Sequence, residues 1–76
     1  DAQVNIAFMY LTGQGVTQNH GQAFYWYKLS AEQGNSKAQY NVGVMHYKGE
    51  GVVQDVIESH KWFNISSKNG FSRAVN

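Results

Sequence analysis

The sequence is written twice over. Ala2, Gln3, Asn5 and Met9 recur about 36 residues later as Ala38, Gln39, Asn41 and Met45. Gly13, Gly15, Val16 and Gln18 recur as Gly49, Gly51, Val52 and Gln54, and Trp26, Ser30, Gly34 and Ser36 recur as Trp62, Ser66, Gly70 and Ser72. Ile6 with Val42, Asn19 with Asp55 and Tyr27 with Phe63 are conservative pairs. Chance does not keep a tryptophan, a Gly-x-Gly-Val and a helix-end glycine in one register. A period of this length marks an array of stacked units, none of which buries its apolar face alone. Such an array generally binds another molecule rather than transforming one.

Length sharpens the constraint. A chain of 76 residues is one small domain at most, and it has no cysteine to staple it. Domains of this size bury only about 60% of their unfolded surface. About three repeats are needed for a continuous core. A two-repeat piece is therefore expected to be marginal, or to pack against another copy. The formal charge is +1, and the six Lys and Arg are spread along the chain. Nucleic-acid binding requires them clustered on one face. No apolar run of about 18 residues is present to span a membrane, and no basic-then-apolar leader opens the chain. The chain starts inside one repeat and stops soon after another begins, so it reads as an excerpt of a longer protein. Its units are repeat 1 at about 1–35, repeat 2 at about 36–71, and a truncated third at 72–76.

Each unit reads as helix, loop, helix. Helix A of the first copy runs from about Asp1 to Thr12, with Ala2, Ile6, Ala7, Met9 and Tyr10 at helical rather than alternating spacing. Gly13-Gln14-Gly15 breaks it. Asn19 is the expected N-cap of helix B, which stops at Gly34. In the second copy, Ser36 with Gln39 has capping-box spacing. Asp55 precedes the second helix B with Glu58 three residues on, where a carboxylate suits the helix dipole. Helix B places Ala23, Trp26, Tyr27, Ser30 and Ala31 on one stripe, and Ser59, Trp62, Phe63, Ser66 and Ser67 in the second copy. The stripe is expected in the core. There each indole N–H needs a partner, and each serine can bond the carbonyl four residues back.

These residues resemble the SEL-one-like repeat, a relative of the tetratricopeptide repeat. The family's helix A reads roughly Ala-x-x-x-Leu-Gly-x-Met-Tyr, followed by Gly-x-Gly-Val. Here that is Ala38 to Met45, then Gly49-Glu50-Gly51-Val52. Its helix B carries Ala-x-x-Trp-Tyr-x-x-Ala-Ala and a glycine, matched by Ala23, Trp26, Tyr27, Ala31 and Gly34. Departures are small in volume. His46 stands for the family tyrosine that Tyr10 keeps, and Ala7 for the close-approach glycine that Gly43 keeps. Ser59, Ser66 and Ser67 stand for alanines, and Thr17 and Val53 for a frequent proline. The resemblance implies an all-α fold, an α/α solenoid in which antiparallel helix pairs form a right-handed superhelix with the A helices lining the concave face. It implies an adaptor or scaffold that binds proteins or peptides. Members are often bacterial, some exported, so the periplasm or cell envelope and the cytoplasm both stay open.

Helix A has more apolar residues than one core stripe requires. Val4, Phe8 and Leu11 form a second row, matched by Tyr40, Val44 and Tyr47. A helix apolar on two faces is either sandwiched or offers one face to a partner. In related tetratricopeptide repeats this row lines the groove, with Asn5 and Asn41 where polar side chains meet a peptide backbone. Lys37, Lys48 and Arg73 would add positive charge there, suiting a segment with acidic character or a terminal carboxylate. The competing reading is that Val4, Phe8 and Leu11 pack on a preceding repeat, and that Asn5 and Asn41 bond neighbouring backbone. Specificity is expected where the copies disagree: Val4 against Tyr40, Phe8 against Val44, Leu11 against Tyr47, Thr12 against Lys48.

Signatures of catalysis are missing. The chain has no His-Glu-x-x-His, no Gly-x-x-x-x-Gly-Lys and no Gly-x-Ser-x-Gly. Gly13-Gln14-Gly15 follows a helix and lacks the third glycine of a nucleotide loop. Asp55 and Glu58 are better read as caps than as paired catalytic carboxylates. His20, His46 and His60 share no i, i+4 face and have no cysteine beside them, so no metal site and no cofactor are expected. The leading expectation is a non-enzymatic interaction module. A structural spacer or self-associating element is the alternative, since two repeats leave both ends of the stack uncapped. Hydrolysis of a cell-wall component would need a nucleophile–base pair that the sequence does not contain.

Overall fold

The computed structural model describes residues 2–70. Four helices follow one another: α1 (Ala2–Thr12), α2 (His20–Glu32), α3 (Ser36–Lys48) and α4 (Val56–Lys68), with no strand among the described residues. Each packs mainly on the next, α1 on α2, α2 on α3 and α3 on α4. That nearest-neighbour order is the architecture of an α/α solenoid, here two helix pairs long. The third-repeat start at Ser72, Arg73 and Ala74 lies outside the described residues.

The helix starts follow local chemistry, with one correction. Asn19 caps α2 from an extended backbone, and Asp55 caps α4, its Oδ1 accepting from the Glu58 N–H at 3.0 Å. Ser36 does not cap α3. It is already helical, and Asn35 is the cap, with Oδ1 accepting from the Ala38 N–H at 2.9 Å. Moving the cap one residue back frees Gln39 from the capping box. Its amide instead donates to the Ala31 carbonyl at 3.0 Å, and its Oε1 accepts from Asn69 Nδ2 at 2.9 Å. Gln39 therefore ties α3 to the ends of both flanking helices.

The two loops share three bonds. The N–H of Gly13 donates to the Met9 carbonyl, and that of Gly49 to Met45, both at 2.8 Å. Farther along, the N–H of Asn19 donates to the Tyr10 carbonyl, as Asp55 does to His46. Gln18 Nε2 reaches the Leu11 carbonyl and Gln54 Nε2 the Tyr47 carbonyl, each at 2.8 Å. These side chains satisfy carbonyls that a helix C-terminus leaves without partners, which accounts for the repetition of Gln18 as Gln54.

The core runs through all four helices: Val4, Ala7, Ala23, Tyr27, Ala31, Ala38, Val42, Met45 and Trp62. Small residues set the helix spacing. Gly43 is the tightest point, since a Cβ there would lie 2.7 Å from two Phe63 ring carbons and 3.1 Å from the Ser59 carbonyl oxygen. Ser66 does not bond within its own helix as expected. Ser66 Oγ donates across the repeat to the Ser36 carbonyl at 2.7 Å, because Ser66 faces the start of α3. The Trp62 indole N–H and the Ser59 hydroxyl are buried without a hydrogen-bond partner.

The core stripe expected on helix A differs between the copies. Ala38, Val42 and Met45 are buried in α3, whereas Ala2 and Met9 are exposed and Ile6 is half-buried in α1. The physical reason is the stacking order: α2 covers that side of α3, and no described helix covers that side of α1.

Candidate protein-interaction face

The residues singled out on helix A divide into three groups. Val4, Leu11 and Tyr40 turn inward. Val4 is 7% exposed and part of the core, and Leu11 packs against it. The Tyr40 ring stacks, tilted, on Phe63 with centroids 5.4 Å apart. Val4 and Leu11 therefore pack onto the core that the described helices form. Asn5, Phe8, Lys37, Tyr47 and Lys48 are exposed, and Asn41 and Val44 are half-buried beside them. Arg73, the last candidate, lies outside the described residues.

The exposed group has a definite character. Phe8 and Tyr47 leave 48% and 55% of their surface in water, which places large rings on the outside of both A helices. Asn5, Phe8 and Thr12 are spaced three or four apart and share one side of α1. Asn41, Val44 and Lys48 hold the matching positions of α3. Thr12 does not add a free hydroxyl, because its Oγ1 donates to the Phe8 carbonyl at 2.8 Å. Neither α1 nor α3 contains an Asp or Glu, while α3 carries Lys37 and Lys48. The face therefore combines apolar rings, amides and positive charge without an opposing carboxylate.

The other polar groups of the described residues have local surroundings of their own. His46 is 8% exposed and lies edge-on to the Phe24 ring, centroids 5.3 Å apart, so it serves as a packing residue between repeats. His20 sits at the start of α2 beside Gln18, and His60 is exposed on α4. Among the described residues no group of three or more His, Cys, Asp or Glu is placed to hold a metal. Glu58 belongs to the α4 cap and lies 3.8 Å from Lys61 in an exposed pair. Burial pushes the Tyr27 hydroxyl above its ordinary range, as desolvation does to a core phenol. No helix among the described residues is long and apolar enough to cross a membrane.

Sequence reasoning missed Gln39 as the link between repeats and left Gln18 and Gln54 without a role. The latter pair did carry a signal, being identical in both copies. Gln39 carried the same signal through Gln3, but the capping-box spacing offered a simpler use for it.

Comparison with known proteins matches this geometry. The model of the Sel1 repeat fits the chain twice, over residues 1–35 and 36–71. A Sel1 repeat protein from Oxalobacter formigenes has a similar structure, with TM-score 0.95 and 32% identity over 97% of this chain and 56% of its own. The protective antigen c5321 of uropathogenic Escherichia coli, which displays an SLR fold, superimposes with TM-score 0.93 and 40% identity over 96% of this chain and 16% of its own. Helicobacter pylori cysteine rich protein B shares the fold with TM-score 0.93 at 20% identity, over 96% of this chain and 55% of its own. The chain thus spans little more than half, or much less, of each of these structures. No curated protein matches significantly. Two consecutive matches in the register of the internal duplication, on a four-helix stack of the same shape, place the chain in the Sel1 repeat family.

Proposed function

We propose that this chain, built from a repeat that generally serves protein interaction, binds a segment of another protein on the face formed by α1 and α3. The observation that carries the reading is the exposure of Phe8 and Tyr47 on A helices that bear no carboxylate, with Lys37 and Lys48 on α3. Exposed rings next to amides suit a chain that offers both apolar side chains and backbone to bond. The lysines favour a segment with acidic residues or a terminal carboxylate. Asn5 and Asn41 are the amides placed to meet its backbone. Lys37, Lys48 and, by its sequence register with Lys37, Arg73 supply the charge. Val4, Leu11 and Tyr40 support the face from beneath.

Panning a displayed library of random peptides on the protein tests this reading. Acidic sequences with apolar anchors should be enriched. Phe8→Ala with Tyr47→Ala should weaken a selected peptide at least about tenfold, the scale of a disrupted hot spot. Tyr25 is as exposed as Tyr47 but lies on α2, so Tyr25→Ala should leave affinity unchanged. Equal loss in both variants, or none in the double variant while its melting stays normal, sinks the proposal.

A further inference from the structure

The turn that ends α4 reads Lys68-Asn69-Gly70, and the glycine serves the helix. Gly70 has φ 93°, the left-handed backbone that closes a helix and that side chains resist. The same turn closes α2, where Gln33 precedes Gly34 at φ 96°. The two turns differ chemically. Asn69-Gly70 is the one Asn-Gly step in the sequence. An asparagine side chain has the length that lets the next backbone nitrogen close a five-membered ring on its amide carbon. A glycine, having no Cβ, leaves that nitrogen unshielded. Gln33 would have to close a six-membered ring, which forms much more slowly.

The folded turn opposes ring closure. With Asn69 at ψ 13°, the Gly70 nitrogen lies over the Asn69 backbone nitrogen rather than toward its Cβ. The Gly70 N–H donates to the Ser67 carbonyl at 3.0 Å, so its proton is engaged. The Asn69 side chain is held as well, its Nδ2 donating to Gln39 Oε1 at 2.9 Å. Opening the last turn of α4 releases all of these, and helix ends are where local opening takes least free energy. Gln33 and Gly34 are exposed although α3 follows them, so water reaches this turn inside the stack too.

The Gln39 bond gives the product a consequence. Gln39 is 3% exposed, and its Nε2 already donates to the Ala31 carbonyl at 3.0 Å. A carboxylate at position 69 has no proton to donate. It would meet Gln39 Oε1 as a second acceptor, and Gln39 could not turn its amide over without leaving Ala31. The helix dipole also disfavours a negative charge at a C-terminus.

We infer that Asn69-Gly70 is a site of spontaneous deamidation that the folded turn holds back, and that its product loosens the tie Gln39 makes between α2, α3 and α4. Gly70 N bonds to Asn69 Cγ, the Cγ–Nδ2 bond breaks, and Nδ2 leaves as ammonia with the Gly70 amide proton. Water then opens the ring at either carbonyl, leaving aspartate or isoaspartate at position 69. The inference does not rest on the peptide-binding face.

Incubating the full chain at mildly alkaline pH, in buffer and in denaturing urea, with peptide mapping of the products, tests the site. In urea, isoaspartate should form at position 69 faster than at any other asparagine. In buffer it should form several-fold more slowly, and at intermediate urea its rate should follow the unfolded fraction. Equal rates in buffer and urea overturn the hold by the fold, and a position 69 no faster than the other asparagines overturns the site. Asn69→Asp reads the effect of the product and should unfold at lower urea than the unmodified chain. On a Gln39→Leu background, where the bond is already gone, the same substitution should lower the midpoint much less. An unchanged midpoint for Asn69→Asp, or an equal drop on both backgrounds, overturns the action through Gln39.

Discussion

At Gly43 a hydrogen in place of a methyl group decides how close two helices can come. The missing Cβ would press on the Phe63 ring and on the Ser59 carbonyl, and the latter is backbone that cannot swing aside. In the first repeat the same position is Ala7, opposite Tyr27, and both are fully buried. The two copies thus solve one packing problem with different pairs. Ala in place of Gly gains about 1 kcal/mol of helix propensity. Overpacking a tight core costs about 1–3 kcal/mol, and here backbone stands in the way, so overpacking wins. Gly43→Ala should therefore lower stability in urea denaturation by a net of up to about 2 kcal/mol, and Phe63→Leu on that background should recover part of the loss. A neutral or stabilising Gly43→Ala would show that the helices are not held at this distance. The role of Gly43 was legible from the family resemblance, in which this position is a close-approach glycine. The bond from Ser66 to Ser36 was not, because spacing within a helix says nothing about which carbonyl of a neighbouring helix lies opposite.

Helices and loops were legible where the signal is local. Glycine pairs, Asn19 and Asp55 sit where backbone chemistry alone puts breaks and caps. Errors arose where a helix meets something distant in sequence. Gln39 left its expected box because the Ala31 carbonyl and Asn69 lay within reach. The stripe Ala2, Ile6 and Met9 is apolar like its counterpart but is not covered like it. Periodicity shows that a face is apolar, whereas only the stacking order shows which helix covers it. The matched loop glycines separate the two effects. Gly15 and Gly51 both have positive φ, 79° and 74°. An alanine at either position is strained by about 1–2 kcal/mol, but only at Gly51 would it also strike the backbone of the other repeat. Gly51→Ala should therefore destabilise at least about twice as much as Gly15→Ala, whose cost is the strain alone. Equal losses in urea denaturation would mean that the loop does not hold the repeats together.

For the molecule as a whole, the duplication specifies the stack. Of the candidate groove residues, the exposed ones were legible as a second apolar row on helix A, but the row itself is split by the fold. Val4 and Leu11 lean onto the core and Tyr40 onto Phe63, while Phe8 and Tyr47 face water. Side chains at the margin of a helix face fall either way according to the size of their neighbours, and sequence spacing does not resolve that. Tyr40 is drawn inward by Phe63, which itself rests on Gly43. Chemical-shift mapping of the labelled chain with a peptide taken from a displayed library tests the central claim most directly. The account predicts that the shifts concentrate at Asn5, Phe8, Thr12, Asn41, Val44, Tyr47 and Lys48, with α2 and α4 little changed. Shifts confined to α2 and α4 would contradict it.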